Sequence, residues 1–197
     1  MKKAAVSLLE LLVALILLSI LVLSISSVVN FSRYHVINAD KRARVQNDVS
    51  FVLAHMRKSV QRGIGDTNNP PLVTITNGFR VRVDNNVLLP TPGNYSDDSW
   101  LNYALSANTL SFSCTQVSAA SPACPSAENL STKIVSGAVF AAIPAVPASG
   151  FNYYFRDNDT TLEVALVARY DPASAASADN PEVVMKNSIL ARSAASR

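Results

Sequence analysis

The chain has 197 residues, of which 49% are apolar and 16% charged, with a formal net charge of +3. That is enough apolar material for one packed domain with an appendage, and it excludes a disordered polar chain. The basic residues form no tract of the kind that grips nucleic acid, so nucleic acid is not an expected partner.

The chain opens with a short basic stretch, Met1-Lys2-Lys3-Ala4-Ala5, followed by an apolar run of 24 residues from Val6 to Val29. At 1.5 Å per residue that run spans about 36 Å, enough to cross a hydrocarbon core of about 30 Å. One charge interrupts it, Glu10. A secretory signal peptide has an apolar stretch of only about 7–15 residues and a small-residue cleavage site after it. A plain signal anchor fits the length but gives no reason for a carboxylate, which costs about 2.5–3.5 kcal/mol at membrane depth even on lenient scales. A blander account places Glu10 near the cytoplasmic interface, where it snorkels.

A third account uses all of these features. Val6-Ser7-Leu8-Leu9-Glu10 resembles the Phe-Thr-Leu-Ile-Glu start of type IV prepilins, and Met1-Lys2-Lys3-Ala4-Ala5 resembles their short cytoplasmic leader. Ala5 stands where the family has glycine, and Val6 where it has phenylalanine. The resemblance implies cleavage between Ala5 and Val6 by a prepilin peptidase, N-methylation of Val6, and Glu10 as the fifth residue of the mature chain. It also implies that Glu10 meets the amino terminus of a neighbouring subunit and sets axial register during assembly. The physical reason is charge compensation. An α-amine with pKa near 7.7–8.0 is cationic at neutral pH, and neither it nor the carboxylate is tolerated in apolar surroundings without the other. The basic leader orients the start of the chain to the cytoplasm, with everything after Asn30 outside.

From Asn30 to Arg62 there is neither Pro nor Gly. Val45, Val49, Val52, Met56 and Val60 recur at steps of three and four, one face of a helix. Arg44, Asp48, Arg57 and Arg62 fall outside that stripe, and Gly63 and Gly65 end it. The two runs read as one helix of about 58 residues, near 87 Å long. The family often bends this helix with a proline; this chain has none in the apolar segment, which predicts a straighter helix. Lys41, Arg42 and Arg44, flanked by Asp40 and Asp48, read as a solvated helix face, with a lipid-headgroup or DNA contact as the sharper alternative.

After Asp66, Pro70-Pro71 opens a region of short strand-like runs divided by turns. The candidates are 73–76, 79–83, 100–105, 109–114, 134–143, 151–156, 162–170 and 182–192. Residues 151–156, the turn Asp157-Asn158-Asp159-Thr160 and residues 162–167 read as a hairpin. Three Ala/Ser/Pro-rich stretches, 118–129, 145–150 and 172–181, read as surface loops. Cys114 and Cys124 lie within and beside the first of these. A disulfide closing a small loop is the simplest reading; it implies an oxidising compartment and adds about 2–3 kcal/mol on the loop-entropy model. Two reduced, buried thiols in a cytosolic domain are the alternative. The order of the head also resembles the J-type pseudopilins of type II secretion and the W-type minor pilins. The pieces that carry this are Trp100-Leu101-Asn102-Tyr103-Ala104-Leu105, Thr109-Leu110-Ser111-Phe112, Lys133-Ile134-Val135-Ser136-Gly137-Ala138-Val139-Phe140 and the aromatic hairpin.

Catalytic chemistry finds little footing. His35 and His55 are twenty residues apart on the helix, about 30 Å, too far to share a metal or a proton, and both read as exposed helix positions. No Gly-x-Ser-x-Gly occurs. Asp157, Asp159 and Glu163 have a spacing that calcium could use, but Asp and Asn are also what a hairpin turn favours. Trp100, Tyr103, Tyr153 and Tyr154 read as core or sheet-face aromatics, with a stacking site for DNA or a surface receptor as the alternative.

The expectation is therefore an α+β protein: leader 1–5, transmembrane or filament-core helix 6–29, amphipathic continuation 30–65, and a β-rich extracytoplasmic head 66–197 packed on the helix. The resemblance implies a structural minor subunit of a type IV pilus or type II secretion pseudopilus, in or near a tip complex, without enzymatic activity or cofactor. Its partners would be other pilin-like subunits, a prepilin peptidase and the inner-membrane assembly platform. It would sit in the inner membrane by a single pass, with its head in the periplasm or on the surface within a filament. The rival is an adhesion or DNA-binding module displayed on a pilus by the same anchor.

Overall fold

The computed structural model describes residues 8–66, 68–84, 91, 94–143 and 161–191, with the backbone alone for 141–143. Among them run one helix, α1 (Leu8–Val60), and eight strands: β1 (Leu72–Ile75), β2 (Gly78–Val83), β3 (Ser99–Ser106), β4 (Thr109–Gln116), β5 (Glu128–Ser131), β6 (Val139–Ile143), β7 (Thr161–Arg169) and β8 (Glu182–Leu190). This is the expected α+β layout, a long helix that starts apolar and an antiparallel sheet against its later turns. The leader, the Ala5/Val6 junction, the candidate strand 151–156, the aromatics Tyr153 and Tyr154, the turn with Asp157 and Asp159, and the loop 145–150 lie outside the described residues.

Two compact units divide the chain, Met1–Lys41 and Arg42–Arg197. In the first, residues 8–41 are helical throughout, as an apolar sequence free of Pro and Gly dictates. Its serines do not break the pattern. Ser19 Oγ donates to the Ile16 carbonyl and Ser24 Oγ to the Ile20 carbonyl, each at 2.8 Å, so hydroxyls on an apolar helix are satisfied by the helix itself.

In the second unit α1 turns its Val45, Val49, Val52, Met56 and Val60 stripe inward, and all five are buried. The helix ends by tightening: Arg62 N donates to Ser59 O and Gly63 N to Val60 O, three residues back rather than four. Beyond it the backbone packs closely. A Cβ on Gly65 would lie 2.3 Å from the Asn69 carbonyl oxygen, and one on Gly78, at the start of β2, 1.9 Å from that of Tyr103. Both positions therefore require glycine.

Strands β1 to β5 form one antiparallel sheet in chain order, and β6-β7-β8 form a second. Inward and outward residues alternate cleanly along β3 and β7. Phe79, Val81, Leu101, Tyr103, Leu110, Leu162, Val164 and Leu166 meet the helix stripe in one core. Each such side chain contributes about 1.5–3 kcal/mol on burial. The β3–β4 hairpin closes on Ala107 and Asn108, with φ of 45° and 64°. Two consecutive positive φ values make the mirror-image turn that matches strand twist.

Two details differ from the sequence expectation. The run 134–143 is not one strand. It breaks at Ser136-Gly137, where Gly137 has φ of 110°, and its parts cover successive stretches of one β7 edge. Ile134 bridges Ala168, while Val139–Ile143 pairs with residues 161–165. β8 occupies the other edge of β7, and residues 151–156 of the expected hairpin lie outside the described residues. Strand β5 lies partly inside a stretch read as loop. Its sequence Glu-Asn-Leu-Ser has no alternation to betray it, and its pairing with β4 shifts register at Leu110/Ser111.

Candidate functional site

The feature of the first unit that demands a partner is its surface. Every leucine, isoleucine and valine from Leu8 to Val29 is solvent-exposed, from 84% at Leu8 to 41% at Val29. Apolar area left in water costs about 25 cal/mol per Å², and soluble monomers rarely show a contiguous patch beyond a few hundred Å². α1 is long and apolar enough here to cross a bilayer. Glu10 sits in the first described turn of this surface. It is the only charge between Lys3 and Arg33.

Further along α1, His35 is exposed, with its ring edge-on to Phe31 at 4.1 Å between centroids. Arg42 and Arg44 are exposed and Lys41 half-buried, which places the two arginines on the solvated face expected of them. His55 departs from expectation. It is half-buried at the helix–sheet interface, where its ring meets Tyr103 and Phe112 edge-on at 5.8 and 5.0 Å. Its Nδ1 lies 2.9 Å from the Tyr103 hydroxyl, which donates to Ser59 Oγ at 2.6 Å. Burial pushes the His55 pKa down, a pull that Glu128 opposes and Lys58 reinforces. Burial likewise pushes the Tyr103 phenol up. His55, one residue from a buried methionine, is polar by type and stands outside the apolar stripe, whereas its neighbours in space are aromatic.

In the head, Cys114 of β4 and Cys124 form a disulfide, with Cα atoms 5.4 Å apart. The loop it closes is also pinned by hydrogen bonds. Gln116 Nε2 donates to the carbonyls of Ser121 and Pro122, and Ser118 Oγ to that of Ser96 at 2.6 Å. The Asp98 carbonyl accepts from Val117 N at 3.0 Å and from Ser121 Oγ at 2.5 Å. A second loop, after β7, is organised by one residue. The Asn180 amide donates to the carbonyls of Asp171, Ser174 and Ala175 at 2.9, 3.2 and 3.0 Å, and its Oδ1 accepts from Asp171 N at 2.8 Å.

The aromatics divide. Tyr103 is buried and stacks on Phe79 at 4.7 Å. Trp100 lies on the outer sheet face, with the guanidiniums of Arg80 and Arg82 at 4.4 and 4.7 Å from its ring centre. Glu163 is exposed within β7. Among the described residues no three His, Cys, Asp or Glu side chains gather into a group that could hold a metal ion. One buried carboxylate had no signal in the sequence. Asp98, at the foot of β3, is fully buried, and neither of its carboxyl oxygens has a hydrogen-bond partner among the described residues. Arg82 Nη1 is 3.9 Å away. Burial first, and then the charges of Asp84 and Asp97, push its pKa up to about 6 against the pull of Arg82.

Comparison of the chain with protein-family models, with curated proteins and with solved structures gives no match.

Proposed function

We propose that this chain is a type IV pilin-like subunit, a minor pilin or pseudopilin, that works by assembling into a filament. The observation that carries the reading is the contrast along α1. The stripe from Val45 to Val60 is buried against the chain's own sheet, whereas the apolar residues from Leu8 to Val29 are exposed. Lipid satisfies such a surface before assembly, and the helices of neighbouring subunits satisfy it afterwards. Glu10 then has a task that neither an anchor nor a folding role provides: it pairs with the amine of a neighbour, freed when a prepilin peptidase cuts before Val6. The disulfide fits a head exported to an oxidising compartment. On this reading the chain is a single-pass protein of the inner membrane. Its partners are other pilin-like subunits and the assembly platform, and it needs neither catalysis nor cofactor.

The test is Glu10→Leu. The variant keeps the apolar run and inserts into the membrane normally. Breaking one member of a buried ion pair costs about 3–5 kcal/mol, which is at least a hundredfold in an association equilibrium. The ratio of this subunit in sheared filaments to that in membranes therefore falls steeply. Equal incorporation of wild type and variant removes Glu10 from assembly.

A further inference from the structure

Asp84 follows β2 and Asp97 and Asp98 precede β3, and the three carboxylates are not equivalent. Thr91 donates its amide to Asp84 Oδ2 and its hydroxyl to Asp97 Oδ2, each at 2.8 Å. Among the described residues, Asp98 receives no hydrogen bond at either carboxyl oxygen. A buried carboxylate without donors is relieved by a cation or by a proton. A metal ion is disfavoured here, because the Arg82 guanidinium already stands 3.9 Å from Asp98 Oδ2 and the acidic side chains among the described residues form no metal-holding group. Arg82 is itself engaged elsewhere, over the rings of Trp100 at 4.7 Å and Tyr95 at 5.2 Å. The proton remains.

We infer that Asp98 is a proton-operated latch, which when neutral fastens the disulfide-closed loop and the end of the β2–β3 connection to the sheet, and when ionised loosens both. The fastening runs through the backbone of the same residue, since its carbonyl holds Val117 N and Ser121 Oγ. The charged groups facing the Asp98 carboxyl are Arg82 and Asp84 from β2 and its end, and Asp97 from its own connection. The disulfide-closed loop, residues 115–123, contains no charged side chain and offers only the Val117 amide and the Ser121 hydroxyl that reach the Asp98 carbonyl. The sign follows from the raised pKa. The contribution is complete below about 4, the ordinary aspartate value, and is lost as pH rises through about 6.

Full-length protein in detergent micelles provides the test. The Asp98 carboxyl carbon, followed by NMR, titrates with a midpoint near 6. Hydrogen-exchange protection of the Val117 amide, corrected for intrinsic rate, falls by about tenfold per pH unit between about 4 and 6 and levels off above. Asp98→Asn keeps that protection high at every pH, and Asp84→Asn lowers the Asp98 midpoint by removing a like charge. An Asp98 midpoint at the ordinary value, with Val117 protection flat from pH 4 to 8, overturns the proposal. So does an Asp98→Asn protein that follows the wild-type curve. Should Asp98→Asn fail to fold, the wild-type titration and Asp84→Asn decide alone.

Discussion

His55 and Asp98 are polar side chains that the fold draws out of water, and burial moves their pKa values in opposite directions. For His55 the folded value lies below the ordinary 6.5, so the neutral ring is the one the fold accepts. Its contribution is present above pH 6.5 and is lost as pH falls below it, because the unfolded chain then binds the proton first. Comparing wild type with His55→Gln in urea unfolding isolates this effect. The stability advantage of wild type shrinks as pH is lowered from 7 to 5, and a pH-independent difference would show that the ring is no more buried than in the unfolded chain. Neither residue was legible as a site. A lone histidine on a helix and one of two successive aspartates after a serine carry no pattern, and only the sheet decides what surrounds them. Cys114 and Cys124 were legible because two cysteines near each other, with no histidine beside them, have few other uses.

At the level of elements, what repeats could be read and what does not repeat could not. The α1 stripe at steps of three and four, and the alternation in β3, β4 and β7, state in sequence which faces are inward. β5 and the break at Ser136-Gly137 have no period, so nothing in the sequence pattern marks them. The stripe makes a quantitative claim. Met56 is fully buried at the centre of the helix–sheet contact, and Met56→Ala removes its side chain and leaves a cavity, at a cost of about 2–5 kcal/mol. The corresponding change at exposed Arg57 should stay within about 0.5 kcal/mol. Thermal unfolding of the two variants checks the register. Similar losses at both positions would mean that the helix presents a different face.

For the whole molecule, the fold and the assembly role rest on different stretches of sequence. The α+β layout and the membrane-length helix are visible in the structure. The assembly role rests on Val6-Ser7-Leu8-Leu9-Glu10 and the leader before it, which are matters of processing rather than of packing. Intact-mass measurement of protein extracted from membranes that contain an active prepilin peptidase addresses it directly. The expected mature chain begins at Val6 with a methylated amine. A mass that retains Met1 to Ala5 sinks the filament reading and leaves a plain anchor.

The Asn180 hydrogen bonds have a consequence for how this protein can change over evolutionary time. One amide shapes the loop between β7 and β8 by holding main-chain carbonyls, and a carbonyl is the same whatever side chain stands beside it. The exposed Ala175, Ala176 and Ala178 are thus free to drift, and a lineage can repaint that part of its outer surface without redesigning the loop. The freedom ends at Asn180, whose loss would leave several carbonyls without their donor at once.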